Sequence, residues 1–122
     1  MIKLTFPLVR LSHLSREAFQ DYWFGTHGPL VASVRDTLRI KRYVQMHSMP
    51  EQVSEGLRAS RDAPPPYDGV AQLWYESLED LGALAGDKAA QEAGRMLLED
   101  ERKFIDHAKS PLWWGQERVI FE

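Results

Sequence analysis

The chain has 122 residues, of which 43% are hydrophobic and 27% are charged, and its formal net charge is −3. This length predicts one domain over residues 1–122, with the composition of an ordinary globular protein. No apolar stretch approaches the roughly 20 residues that cross a bilayer, and the charges form no basic cluster of the kind that binds nucleic acid. The chain contains no cysteine, which excludes disulfides and thiolate chemistry. We therefore expect a cytoplasmic protein with neither a membrane nor a nucleic-acid partner.

The chain begins with a predicted strand over residues 2–9. Every second residue there is apolar, and the residues between them differ in polarity. This period of two is typical of a β-strand. Pro7 has no N–H to donate to a neighbouring strand. Its presence therefore favours a position near a sheet edge or a strand end.

Residues 15–27 predict the first helix. Ser15 is a suitable N-cap, and Phe19, Trp23 and His27 recur every four residues, so their side chains share one face. Apolar side chains in such a stripe pack into a core. A histidine in the same stripe is unusual, and it is the first candidate for chemistry.

The dipeptide Gly28-Pro29 predicts the end of that helix or a kink in it. Pro29 can open a second helical piece over residues 30–36. His27 is then expected at a helix end, where the helix dipole favours its protonated form and burial opposes it.

The remaining elements are predicted from the same periodicities. They are a strand over 38–48, a loop over 49–68 with one helical turn, a strand over 69–76, a helical region from Ser77 with its main helix over 87–108, and a strand over 112–121. The order β-α-β-β-α-β predicts a ferredoxin-like α+β fold, with a four-stranded antiparallel sheet and helices on one face. Both faces of the sheet are expected to be largely apolar, so the face without helices must also be covered. Pairing with a second copy of the chain covers it, and we therefore expect a homodimer.

Three segments then resemble a known family. They are LSREAFQDYWFGTHGPLV at residues 14–31, YDGVAQLWYESLEDL at 67–81 and FIDHAKSPLWWGQERVIF at 104–121. They are similar to sequences of the EthD family in the dimeric α/β-barrel superfamily. The resemblance implies a barrel formed by two paired sheets, with a pocket between sheet and helices and generally no flavin or metal. The resemblance implies relatives that include proteins tied to ether degradation, without a settled chemistry. Related enzymes isomerise methylmuconolactones or decarboxylate and dehydrate aromatic polyketides, and others are cofactor-free monooxygenases.

The candidate catalytic residues are His27, His47 and Asp106. His27 can act as base and acid in one cycle, although a core histidine bonded to a backbone carbonyl has the same spacing. His47 shares a strand face with Tyr43 and Gln45. That face is compatible with a pocket wall, with a solvent-exposed surface or with a dimer interface. The related lactone isomerases use a second histidine, and the resemblance implies that role for His47. Asp106, expected in the last helical turn, can orient a histidine or lie exposed.

Six aromatic residues are candidates for substrate binding, with the core or a dimer interface as the alternative. They are Phe19, Tyr22, Trp23, Tyr43, Tyr67 and Trp74. The histidines lack metal-ligand spacing, and the chain has neither a dinucleotide fingerprint nor a serine nucleophile elbow. We therefore expect neither a metal nor a cofactor.

These observations lead to one functional hypothesis and two alternatives. The hypothesis is a cofactor-independent enzyme of lyase or isomerase type, in which histidines transfer protons on a small hydrophobic or aromatic carbonyl compound. The first alternative is a non-catalytic protein that binds a hydrophobic metabolite. The second is a cofactor-free monooxygenase.

Overall fold

The computed structural model describes the whole chain, Met1–Glu122. Its four strands form one antiparallel sheet in the order β2-β3-β1-β4. The strands are β1 (Ile2–Leu8), β2 (Arg42–His47), β3 (Gly69–Tyr75) and β4 (Trp113–Gly115). The helices are α1 (Arg16–Tyr22), α2 (Gly28–Ser33), α3 (Glu51–Ala59), α4 (Leu78–Ala85) and α5 (Lys88–Glu101). A π-helical turn, Trp23–His27, joins α1 to α2, and a 3₁₀ turn, His107–Lys109, precedes β4. This is the predicted ferredoxin-like topology.

The strand register decides which side chains meet the helices. Phe6 lies opposite Ala71, and Leu73 lies opposite Tyr43, so these residues share the inner face of the sheet. The helices pack on this face, and the core includes Phe6, Leu8, Phe19, Trp23, Leu73, Leu97 and Phe104. Pro7 is the penultimate residue of β1, and β4 pairs only with Lys3–Thr5. The predicted position of Pro7 near a strand end is therefore correct.

The predicted break at Gly28 does not occur. Gly28 has helical angles, φ −55° and ψ −52°, and its N–H donates to the Trp23 carbonyl. This i→i−5 hydrogen bond adds one residue to the turn, and the helical run continues into α2 with Pro29 near its start. His27 consequently lies inside a continuous helical run, so the expected effect of a helix end on its charge does not apply.

The second strand is shorter than predicted, and the following loop contains a helix. Arg39 has a left-handed φ of 56°, which places residues 38–40 in a turn, and β2 starts only at Arg42. The predicted loop over 49–68 contains α3, a nine-residue helix with no buried residue. Because α3 lies on the surface, no buried stripe marked it.

The main helix ends seven residues before the predicted boundary at residue 108. After Glu101 the chain turns, and the Asp106 N–H donates to the Val9 carbonyl, which holds this segment against the end of β1. Leaving the helix brings both Phe104 and Ile105 into the core, where they are 1% and 3% exposed. Asp106 is therefore not in a last helical turn.

The last strand is also shorter than the prediction over 112–121. Only Trp113–Gly115 pairs, and it pairs with β1. The tail that follows forms no strand, and Val119, Ile120 and Phe121 are each more than two-thirds exposed. These residues belong to the predicted last strand, but they pair with no other strand of the chain. None of the five helices has the length and apolar character required to cross a membrane.

Candidate functional site

A cavity of about 190 Å³ lies between the inner face of the sheet and the helices. Most of the side chains around it are apolar, among them Phe6, Leu73 and Leu97. Its titratable groups come from four residues, His27, Tyr43, Tyr75 and Glu101. A few polar groups converging in an apolar cavity are the usual composition of a small-molecule site.

His27 reaches this cavity because of its place on the helical run. Phe19, Trp23, His27 and Val31 are spaced by four residues and are all buried, while Phe24 between them is 70% exposed. The π-helical turn keeps this stripe in register through Gly28. His27 is only 5% exposed, so its imidazole is held in an apolar environment.

A buried carboxylate binds this histidine. His27 Nδ1 lies 2.7 Å from Asp100 Oδ2, and both side chains are less than a tenth exposed. Asp100 ends the buried stripe of α5, where Ala90, Ala93 and Leu97 precede it at helical spacing. The sequence analysis missed Asp100. The signal was present, since an acidic residue on the apolar stripe of a helix requires a partner.

Two further donors hold Asp100. The Tyr22 hydroxyl donates to Oδ1 at 2.6 Å, and Lys103 Nζ lies 3.4 Å from the same atom. Burial raises the pKa of Asp100, but the hydrogen bonds from Tyr22 and His27 lower it by more, so the net pKa is below its usual value. The hydrogen bond to Asp100 raises the pKa of Tyr22 to about 12, with burial adding to the effect. Asp100 is therefore a carboxylate, and Tyr22 is a phenol.

The ionised carboxylate determines the tautomer of His27. A carboxylate only accepts hydrogen bonds, so the Nδ1 of His27 carries the proton and donates it to Asp100. In the neutral ring Nε2 then has a free lone pair. Nε2 has no hydrogen-bond partner in the protein, while every fully buried side-chain N and O atom has one. Nε2 therefore borders accessible space, and the cavity lies beside this ring.

His47, the predicted second catalytic histidine, does not border the cavity. Its ring stacks on Trp23 with the centroids 4.5 Å apart, and its Nε2 lies 2.8 Å from Gln45 Oε1. Gln45 Nε2 in turn donates to the Trp23 carbonyl and to the Tyr43 hydroxyl. Burial lowers the pKa of His47. Because Trp23 borders the cavity and His47 does not, the two predicted histidines do not converge on one ligand.

Two tyrosines border the cavity in their protonated form. Burial raises the pKa of Tyr43, and hydrogen bonds with Gln45 and Trp23 offset only part of that rise. Burial also raises the pKa of Tyr75 to about 12. Tyr43 was among the predicted binding residues, but Tyr75 was missed. Its place at the end of β3, directly opposite Ile2 in the sheet, puts it on the inner face.

A second carboxylate–histidine pair lies at the end of α5. Glu101 borders the cavity, and its Oε1 lies 3.1 Å from His107 Nε2. The two side chains are 20% and 34% exposed, so this pair is closer to solvent than the pair of His27 and Asp100. The sequence analysis missed Glu101, because its partner follows only after the helix has ended.

Asp106 and four of the predicted binding residues have other positions. Asp106 forms no side-chain hydrogen bond with a histidine, so Asp100 and not Asp106 orients His27. Phe19 is wholly buried in the core, and Tyr22 contacts Asp100 but not the cavity. Tyr67 is 42% exposed beside the α3 segment, away from the cavity.

Trp74 lies on the outer face of the sheet, beside the C-terminal tail. Its ring lies under Lys3 and Arg42, and its Nε1 donates to Glu117 at 2.5 Å. Trp23 and Tyr43 are thus the predicted binding residues that do line the cavity. No group of three or more histidine, aspartate or glutamate side chains is arranged to bind a metal ion.

The chain is similar to a known family and to several solved structures. The model of the EthD domain matches residues 11–108. An EthD family protein of Bacillus halodurans is 18% identical over 97% of this chain and 99% of its own, with a TM-score of 0.62. An EthD-like protein of Ralstonia eutropha is also 18% identical, over 98% and 94% of the two chains, with a TM-score of 0.58.

A third solved structure is described as a dimeric protein of unknown function with a ferredoxin-like fold. It comes from Bacteroides fragilis, is 8% identical over 95% of each chain, and has a TM-score of 0.58. None of the curated proteins matches this chain. The family match covers most of the chain and confirms the resemblance seen in the sequence, and the solved structures confirm the fold.

Proposed function

The chain belongs to the EthD family, and we propose that it is a cofactor-independent enzyme of lyase or isomerase type. In this proposal His27 moves a proton on a small apolar carbonyl compound held in the cavity. One observation carries it, the buried pair of His27 and Asp100 beside a mostly apolar cavity. A base oriented by a carboxylate, with its other nitrogen free, is the arrangement that general acid–base catalysis requires.

The proposed step begins at His27 Nε2. This atom takes a proton from a carbon next to the carbonyl, so the C–H bond breaks, an N–H bond forms, and the electron pair moves onto the carbonyl oxygen. Asp100 stabilises the imidazolium that results, because it is ionised and hydrogen-bonded to Nδ1. The protonated Tyr43 hydroxyl is the donor that we assign to the enolate oxygen.

The fate of the proton decides the reaction class. Returning it from Nε2 to a different carbon gives an isomer. Delivering it to a departing hydroxyl gives water and a dehydrated product. Both outcomes restore neutral His27 and need only the side chains already named.

Proton abstraction is measurable before the natural substrate is identified. Small cyclic ketones and lactones are incubated with the protein in deuterated water, and deuterium incorporation next to the carbonyl is followed by mass spectrometry. We expect the wild-type protein to catalyse this exchange and His27→Gln to slow it by about 10²–10⁴-fold. Exchange at the wild-type rate in a folded His27→Gln protein is the result that rejects the proposal.

A non-catalytic binding protein is the second candidate, and the mostly apolar cavity favours it. Native mass spectrometry of freshly purified protein identifies a ligand that is carried through purification. Binding of that ligand without chemical change and without deuterium exchange supports this second candidate.

We also propose that a second copy of the chain covers the outer face of the sheet. No helix packs on this face, and it carries Val44 and Met46, the latter 51% exposed. The exposed apolar tail starts at the same face, where Glu117 binds Lys3 and Trp74. The similar solved structure from Bacteroides fragilis is described as dimeric.

The mass of the protein in solution tests this assembly. We expect a dimer at micromolar concentration, and we expect removal of residues 118–122 to weaken it, because the truncation takes away Val119, Ile120 and Phe121 but keeps Glu117. A monomeric mass for the full chain contradicts the proposal.

A further inference from the structure

One acidic side chain, Glu101, borders the cavity beside His27, and its only ionic partner is His107. Asp100 and Glu101 are consecutive in α5, yet Asp100 binds His27 and Glu101 borders the cavity itself. No lysine or arginine lines this cavity. The positive charge that His27 can carry is already matched by Asp100. The charge of Glu101 is shared only with His107, which lies on the solvent side.

The negative charge of Glu101 acts inside the cavity. Burial raises the pKa of Tyr43, and the charge of Glu101 raises it further, so Tyr43 and Glu101 interact across this site. A ligand that brings its own negative charge meets this carboxylate in a space lined mostly by apolar groups, where repulsion between charges is poorly screened. An uncharged ligand of the same shape experiences no such electrostatic repulsion.

The volume of the cavity limits the size of the ligand. An apolar cavity of about 150 Å³ accommodates a benzene molecule. The 190 Å³ found here therefore accommodates one six-membered ring with a small substituent. A molecule of several fused rings exceeds this volume and would extend out of the cavity.

We propose that Glu101 is a specificity-determining residue, which restricts the cavity to uncharged, single-ring carbonyl compounds and rejects their carboxylate counterparts. This inference rests on the proposed function, because it concerns the same cavity. It narrows the reaction to isomerisation or dehydration of a neutral compound, since decarboxylation begins from a carboxylate. His107 is a positioning residue that holds the Glu101 side chain.

The test uses benzamide and benzoate, which have the same ring and nearly the same shape but differ in charge. Dissociation constants for the full chain are measured by NMR titration, with the Trp23 and His27 side-chain signals reporting entry into the cavity. We expect benzoate to bind wild-type protein at least about tenfold more weakly than benzamide. Glu101→Gln should remove most of that difference by strengthening benzoate binding, with little change for benzamide.

Two further variants separate charge in the cavity from charge elsewhere. Glu99→Gln is the matched control, because Glu99 is an exposed residue of the same helix, and it should leave the ratio unchanged. His107→Gln removes the histidine that shares the charge of Glu101 and should make benzoate binding at least as weak as in the wild type.

The possible failures are distinguishable. Equal affinity of the wild-type protein for both compounds, or an unchanged ratio in Glu101→Gln, overturns the selectivity and leaves the proposed function standing. Failure of both compounds to shift the Trp23 and His27 signals overturns the cavity as a binding site, and with it the proposed function.

Discussion

His27 and His47 are both associated with Trp23, but their surroundings give them different chemistry. His27 follows Trp23 by one helical turn, is 5% exposed and donates to a buried carboxylate. His47 stacks on the Trp23 ring, is half-buried and has the neutral amide of Gln45 as its partner. Only His27 borders the cavity. The hydrogen-bond partner and the accessible space, more than the residue type, decide what a histidine can do.

The strongest test of this comparison replaces each histidine by glutamine. His27→Gln should slow deuterium exchange by about 10²–10⁴-fold, because it removes the base. His47→Gln should change the rate less than about tenfold, because the hydrogen bond and stacking that it loses lie outside the cavity. Equal losses in the two variants contradict the assignment of distinct roles.

The partner of His27 can be changed without touching the base. Asp100→Asn preserves the shape of the side chain but permits the other tautomer, in which Nε2 carries the proton and cannot accept one. We expect a loss of about 10²-fold or more in the exchange rate. Tyr22→Phe leaves the carboxylate in place and removes one hydrogen bond to it, so its loss should be smaller, within about tenfold. Deuterium-exchange rates measured across pH check both effects.

Gly69 keeps Trp23 in its position. A Cβ at Gly69 lies 2.4 Å from Cζ3 of Trp23 and 2.7 Å from the Met46 carbonyl, so neither the ring nor the strand has room for it. Gly69→Ala should destabilise the protein by about 1–3 kcal/mol and disturb the stacking of His47. Gly82→Ala is the control, since Gly82 lies in α4 with no atom near its Cβ position. That variant should gain about 0.5–1 kcal/mol. Urea unfolding checks both values.

The smallest expected effect is the pH dependence that His47 contributes. Burial lowers its pKa below the reference value of 6.5, so the folded protein binds this proton less readily than the unfolded chain. The stabilising contribution is present above pH 6.5 and is lost as the pH falls through the folded-state pKa. Unfolding free energies at pH 7.5 and pH 5 should therefore differ less in His47→Gln than in the wild type. An unchanged difference contradicts this role.

The pH window of Asp100 is separate from that of His47. Despite its burial, hydrogen bonds from Tyr22 and His27 hold its pKa below the reference value of 3.8. Its contribution to stability is present above pH 3.8 and is lost as the pH falls through the folded-state pKa. Asp100→Asn should therefore reduce the acid sensitivity of unfolding below pH 4, measured by the same method.

Local patterns were sufficient for part of the site. The spacing of Phe19, Trp23 and His27 predicted their common face, and the structure buries all three. The order of elements also predicted the antiparallel sheet. The partner of His27 could not be found in this way, because Asp100 lies 73 residues away in sequence. Asp106 was predicted as the orienting acid because the predicted helix extended seven residues beyond the end of α5.

Hydrophobic periodicity and turn residues act locally, so the sequence was enough to predict the main elements and the topology. The course of the chain at Gly28, the end of α5 at Glu101 and the separation of His47 from the cavity emerged only in the folded chain. The segment after α5, for example, is held by a contact between distant parts of the chain, in which the Asp106 N–H donates to the Val9 carbonyl. Packing and hydrogen bonding across the fold outweigh local preference at these positions. They place Asp100 against His27 and Glu101 at the border of the cavity.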